Sequence, residues 1–167
     1  MDLNTDVKFP KLRLRDIVYL TGRVCTMRDK AVRKSLDEEA PCGEEPVVYH
    51  CGPLVRKIGR VWEVVSAGPT TSSRMNKNTP AFVRKYKPKA VIGKGGMNKE
   101  SYGAMEENNC AYLLFTGGCG ALAASKVKRV VSVDWLELGT AEAVWQLEFE
   151  RFGPLVVAAM GGRSLWQ

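Results

Sequence analysis

The sequence predicts a mixed α/β fold in which residues 1–167 make one domain. Three observations lead there. Short runs rich in valine and isoleucine recur along the chain, turns of glycine and hydroxyl residues follow several of them, and capped or amphipathic segments lie between. A chain of 167 residues can bury one real core and is short for two.

Taken in order, Asp16–Gly22 (DIVYLTG) reads as a strand running into a turn. Thr26, three residues before Asp29, resembles the start of a capping box for a short helix over Met27–Leu36. Asp37–Pro46 is acidic, carries two prolines and reads as a loop. Val47–Cys51 and Val61–Ser66 are valine-rich strands, the second leading straight into Gly68-Pro69-Thr70. Pro80–Lys85 reads as a short helix that must stop before Pro88. Lys89–Ile92 is a buried strand entering GKGG, and Asn98 caps the helix that follows. Cys110–Phe115 is a strand, GGCGALAASKV a tight turn into a helix of small residues, and Arg129–Val133 a further strand. Thr140–Phe152 reads as a helix capped by Thr140, with Ala141, Val144, Trp145, Phe149 and Phe152 at helical spacing. Leu155–Ala159 and Ser164–Trp166, around Gly161-Gly162, read as a closing hairpin.

The longest apolar runs, such as Ala111–Phe115 and Leu155–Met160, are too short to cross a bilayer, and Met1–Arg15 lacks the apolar stretch of a signal peptide. No membrane partner is expected, and the cytoplasm is the expected compartment. A net charge of +7 favours anionic partners: nucleic acid, a small acid or an acidic surface. Cys25, Cys42, Cys51, Cys110 and Cys119 form no CxxC, and His50 is the single histidine, so no zinc-type metal site is expected. The cysteines read as buried small hydrophobes, and chain size and compartment argue against a disulfide framework.

Three junctions share one plan: an apolar run, a turn of small or hydroxyl residues, then a cation. They hold Arg28 after Thr26, Arg74 after Thr70-Thr71 in AGPTTSSRM, and Lys94 between Gly93 and Gly95 in IGKGGMN. Small residues let backbone approach a ligand, and consecutive amides or helix N-termini attract anions. In an α/β sheet the carboxyl ends of parallel strands share an edge, so such loops can meet there. Two arginine forks and a lysine suit a small dicarboxylate. The plainer alternatives are that Arg28 pairs with its neighbour Asp29, that one of Thr70 and Thr71 caps a helix, and that His50 is structural.

Two other motifs are close to these loops. Lys94-Gly95 lacks the Ser or Thr that follows the lysine of a P-loop. VIGKGG fits the GxxG loop of KH-type RNA-binding modules, and Arg84, Lys85, Lys87 and Lys89 with Phe82 and Tyr86 keep that reading as an alternative. Lys99 and Glu100 in the first helical turn, and the strand that precedes the loop, weigh against nucleic acid.

The segments VYLTGRVCTMRDKA, HCGP, AGPTTSSRM, AVIGKGGM, GGCGAL and AVWQLEFERFGPLVV together resemble the C-terminal domain or β subunit of class I iron–sulfur hydro-lyases, the oxygen-sensitive fumarases and L-tartrate dehydratases. The likeness runs from Leu14 to Trp166, and PTTSxRM with IGKGGM is its most specific part. It implies a swivelling β/β/α domain that closes over a larger α subunit, whose three cysteines hold a [4Fe–4S] cluster. It implies a hetero-oligomer, with β–β contacts as an option, acting on fumarate and malate or on tartrate. The family's substrate-binding groups match Arg28, Thr70, Thr71, Arg74 and Lys94, with Gly93 and Gly95 shaping the loop and Thr70 or Thr71 as proton relay. Relatives usually read RDxAH where Val32 stands here, which implies altered packing and no proton transfer at that position.

Overall fold

The computed structural model describes residues 1–166. In chain order the elements are β1 (Asp2–Asn4), β2 (Ile17–Thr26), α1 (Asp29–Asp37), β3 (Val47–Tyr49), β4 (Leu54–Ile58), β5 (Val61–Ser66), α2 (Thr79–Tyr86), β6 (Ala90–Gly93), α3 (Lys99–Glu107), β7 (Ala111–Leu114), α4 (Gly120–Ala124), β8 (Val127–Asp134), β9 (Val144–Met160) and β10 (Arg163–Ser164). Short 3-10 turns lie at Ser72–Met75 and Leu136–Leu138.

Strands β1, β2, β3, β6 and β7 lie side by side and parallel. Their residues alternate between two cores, as a sheet covered on both faces requires. Val47, Tyr49, Ala90, Ile92, Ala111 and Leu113 enter one core, with Trp145, Leu147, Phe149 and Phe152. Val48, Val91 and Tyr112 enter the other, with Val32 of α1, Phe82 and Val83 of α2, and Tyr102 and Met105 of α3. Helices α1, α2 and α3 therefore cover one face, while Ala123 of α4 enters the other core. β8 and β9 cover the other, joined by the inner side of the β4–β5 hairpin, where Trp62 packs edge-on to Trp145 at 5.2 Å.

β9 closes the arrangement. It pairs antiparallel with β2 from Ile17↔Val156 to Thr26↔Trp145, and its other edge takes β8 and then β7. The series β2, β3, β6, β7, β9 thus returns to β2. A two-residue turn, Gly161-Gly162, then leads into β10, with both glycines at positive φ as such a hairpin demands.

Several expectations need correction. Thr140–Phe152 is not a helix: Val144–Met160 is a strand. Trp145, Leu147 and Phe149 are buried at period two, while Glu148 and Glu150 face outward. At Glu150-Arg151 two residues in a row are exposed, Arg151 has φ 47°, and the register with β2 shifts. That bulge turns Phe152 back inward, so Phe149 and Phe152 imitate helical spacing. The first strand also runs on past Gly22 to Thr26, and the first helix starts at Asp29. Thr26 caps nothing; its hydroxyl accepts from Trp145 N at 3.1 Å. β4 was not expected, because LVRKI carries its apolar residues on both faces. Cys25 and Cys42 form a disulfide, contrary to the expectation of free thiols; α1 and the loop after it return Cys42 to the end of β2, with Cα atoms 5.7 Å apart. The remaining cysteines are free, Cys51 and Cys110 buried and Cys119 half-buried. Among the described residues no helix is long and apolar enough to cross a membrane.

Candidate functional site

The carboxyl ends of β2, β3, β6 and β7 lie on one edge, and backbone hydrogen bonds fasten the loops that leave them. Met27 N donates to Tyr49 O at 2.9 Å, His50 N to Ile92 O at 2.8 Å, and Phe115 N to Gly93 O at 3.0 Å. The turn after β5 joins the same edge: Thr70 N donates to His50 O at 2.6 Å and Ser72 N to Lys94 O at 3.0 Å. An isolated parallel bridge pairs Thr71 with Lys94. The two loops singled out in the sequence are therefore in contact, and Arg28 enters from the end of β2.

The two arginines arrive already paired. Arg28 Nε lies 3.4 Å from Glu142 Oε1, with side chains only 20% and 15% exposed. Gly52 makes room for it: a Cβ there would stand 2.6 Å from Arg28 Cδ and 2.8 Å from Nη1. Arg74 grips Asp29 side-on, Nε to Oδ1 at 3.2 Å and Nη2 to Oδ2 at 3.0 Å. The adjacent Arg28 and Asp29 thus take different partners, against the simple neighbour pairing. Lys94 is half-buried, its stem beside Gly117, and it joins no ion pair among the described residues. Against the two arginines stand two carboxylates, so Lys94 is the surplus cation of the edge.

Thr70 is half-buried and Thr71 exposed. Thr71 occupies the N-cap of the Ser72–Met75 turn, yet its side chain makes no capping bond, so the expected capping role is absent. Gly93 is buried, and a Cβ there would fall 1.8 Å from Ser72 Oγ; its lack of a side chain is what lets the two loops pack. Gly95 sits at φ 73° in open space. Its carbonyl accepts from Tyr112 Oη at 2.8 Å, which anchors the glycine loop from below.

His50 lies beneath the threonines. Its Nδ1 is 2.8 Å from Ser72 Oγ, and burial pushes its pKa down to about 4, against a smaller opposing pull from Asp29. The imidazole is neutral at ordinary pH. Burial also pushes the Cys51 thiol up, with Arg28 opposing, so no thiolate nucleophile forms there. Among the described residues no group of three or more Cys, His, Asp and Glu could hold a metal ion, and the residues present do not fit an iron–sulfur cluster. Val32 is buried on α1 among apolar neighbours.

The sequence reading missed Glu142 and Tyr112. Glu142 was hidden because its segment read as helix; in fact it lies in the loop between β8 and β9. Tyr112 carries no pattern of its own and becomes visible only when Gly93 is seen to make room for it and for Ser72, one of the hydroxyls of the AGPTTSSRM loop. As chemistry, the edge offers two oriented guanidinium groups, a lysine, hydroxyls and backbone amides, which together can bind a small anion with two acidic groups.

A family model described as Fumarase C-terminus matches residues 1–167. A Methanocaldococcus jannaschii protein named "Putative L(+)-tartrate dehydratase subunit beta" is 46% identical over 170 residues, 97% of this chain and 86% of that protein. The L(+)-tartrate dehydratase subunit beta of Escherichia coli is 37% identical over 162 residues, 93% of this chain and 81% of that one. A Geobacillus stearothermophilus protein named "Putative fumarate hydratase class I" is 35% identical over 163 residues, 96% of this chain but 32% of that longer protein.

Proposed function

The chain belongs to the fumarase C-terminus family of class I hydro-lyase components, and from that premise we propose that it is a fumarate hydratase β subunit. In this reading it supplies carboxylate-binding groups for the reversible hydration of fumarate to (S)-malate. The observation that carries the reading is the edge itself: Arg28, Arg74 and Lys94, from three loops, with Lys94 unpaired among the described residues. Arg28 and Arg74 each keep hydrogen-bonding capacity beyond the carboxylate they already hold, and Lys94 adds a point charge. Gly93 and Gly95 let the loop amides come close to the ligand. Thr70 or Thr71 moves the proton to or from the carbon neighbouring the hydroxyl.

Adding water across a conjugated alkene also calls for a Lewis acid at the hydroxyl, which the [4Fe–4S] cluster of an α subunit supplies when bound. In this reading the cluster's cysteines belong to the α subunit, and among the described residues of this chain no group of three or more Cys, His, Asp and Glu could hold a metal ion. The active form is then a hetero-oligomer of cluster-bearing α and this β, with the β chain as the swivelling domain that closes over the cluster, working in the cytoplasm. A second reading is L-tartrate dehydration, favoured by the names of the 46% and 37% identical relatives.

The test is reconstitution. The chain alone, after anaerobic iron–sulfur loading, should bind no stoichiometric cluster and hydrate nothing, and activity should appear on mixing with the copurifying cluster-bearing subunit. Fumarate and L-tartrate assayed side by side choose between the two substrates. Turnover by the isolated chain would overturn the divided site.

A further inference from the structure

Glu142 belongs to none of the motifs that mark the cation edge, yet its carboxylate lies inside it. Oε1 is 3.4 Å from Arg28 Nε, and Oε2 accepts from Lys30 N, in the first turn of α1, at 2.9 Å. One side chain thus holds both the cation and the helix start that follows it.

The loop that delivers Glu142 is itself fixed. Trp145 is fully buried and its Nε1 donates to Thr140 O at 2.8 Å. Gly139 O accepts from Glu142 N at 2.9 Å and from Ala143 N at 2.8 Å, closing a tight turn around the glutamate. Lys34 of α1 reaches Glu137 in the same loop at 2.6 Å. Ala141 O lies 2.5 Å from the point where a Cβ on Gly52 would stand, beside Arg28 Cδ and Nη1. Arg28 is therefore confined between a carboxylate on its Nε side and a bare backbone along its stem and Nη1.

A guanidinium has a side edge, shared by Nε and one Nη, and an end edge formed by both Nη groups. Arg28 Nε is buried and makes no hydrogen bond, so Glu142 holds the group as an ion pair across 3.4 Å, and the end edge is left as a paired donor for a second carboxylate. We propose that Glu142 is a positioning residue: it fixes Arg28 so that the end edge of the guanidinium is presented to a substrate carboxylate. It acts through Arg28 and does not itself touch substrate. The inference rests on the dicarboxylate reading given above.

A double-mutant cycle tests it in the reconstituted α–β complex, with fumarate and L-tartrate as substrates. Glu142→Ala should raise KM roughly ten-fold with a smaller change in kcat, as a lost charge-assisted contact implies. Glu142→Gln keeps an acceptor for Lys30 N but loses the charge that faces Arg28, so it should recover only a small part of that, and full recovery would mark a helix-start role and overturn the proposal. In an Arg28→Ala background the same Glu142→Ala change should add less than about two-fold, because the two residues act as one unit. Additive losses in the two backgrounds would overturn the proposal. So would a fall in melting temperature that is equal in both and accompanied by no coupling in KM, since that is the signature of a helix-start role alone. If Glu142→Ala does not fold, Glu142→Asp, which keeps the charge but shortens the reach, carries the same cycle.

A second readout needs no substrate. In the full chain, solvent exchange of the Arg28 Nε–H, followed by NMR, should quicken several-fold on Glu142→Ala; unchanged exchange would overturn the proposal. If exchange quickens but Arg28→Ala leaves KM for both acids unaltered, Glu142 still positions Arg28 and the dicarboxylate reading is what fails.

Discussion

His50 Nδ1 lies 2.8 Å from Ser72 Oγ, and His50 O accepts from Thr70 N at 2.6 Å, so one histidine holds the threonine turn by both backbone and side chain. The contact is buried, with His50 2% exposed, and it links the end of β3 to the turn after β5. The histidine that the sequence marks as structural is a fastening for the Thr70–Thr71 turn.

That fastening makes stability depend on pH in a defined direction. His50 is held neutral with its pKa near 4, against 6.5 for the free group. Between those values the unfolded chain binds a proton that the fold does not, so stability is full above about pH 6.5 and falls as pH drops towards 4. At pH 5 the loss from this group is about 2 kcal/mol. Urea unfolding of the wild type and His50→Gln at pH 7.5 and pH 5 measures it. The mutant should lose less on acidification, and equal losses would show that His50 is not the titrating group.

Gly93 and Gly95 should fail for different reasons. Gly93→Ala forces a methyl into Ser72 Oγ and should cost roughly 1–3 kcal/mol of stability. Gly95→Ala meets open space and pays only for its left-handed backbone, about 1 kcal/mol. Melting temperatures of the two variants check the order; a more damaging Gly95→Ala would contradict the packing described between the loops.

Arg74→Lys keeps the charge and loses the side-on grip on Asp29 together with the planar fork. A lost charge-assisted contact of this kind lowers kcat/KM by about ten- to a hundred-fold. Steady-state kinetics in the α–β complex, with a melting curve alongside, would register it. Normal turnover would make Arg74 a surface charge, in keeping with its 52% side-chain exposure.

Lys94→Ala should impair substrate binding with little change in melting temperature, because Lys94 joins no ion pair among the described residues. If the glycine loop served RNA instead, the same variant would weaken a salt-sensitive RNA complex and leave hydration kinetics alone.

Thr71→Val separates a structural threonine from a chemical one. Its hydroxyl caps nothing, so the melting temperature should hold while kcat drops if Thr71 relays a proton. Unchanged kcat would pass that role to Thr70.

β3, β6 and β7 were legible because they are short apolar runs bounded by turn residues, whereas β1, the three residues DLN, carries no such pattern and was not expected. Asn98 was a readable cap, and it does accept from Ser101 N at 3.0 Å. Strand direction accounts for Arg28 and Lys94 at the ends of β2 and β6, whereas Arg74 follows β5 of the separate β4–β5 hairpin and reaches the edge through the bridge between Thr71 and Lys94. The misreadings share a cause: tertiary partners decided what local pattern left open. The bulge at Glu150-Arg151 goes with the register shift between β9 and β2, and its imitation of a helical stripe concealed both the longest strand and Glu142. Asp29 looked like the partner of Arg28, yet which of two neighbouring charges pairs with what depends on loops far away in sequence.

β9 carries a kinetic consequence. Ile17 pairs with Val156 and Thr26 with Trp145, so the closure of the ring joins residues from opposite ends of the chain. On a ribosome, β2 must wait for nearly the whole polypeptide to be made before its antiparallel partner exists. Until then its edge is unpaired and sticky. High contact order of this kind slows folding towards the millisecond-to-second range and leaves a window for mispairing between nascent chains.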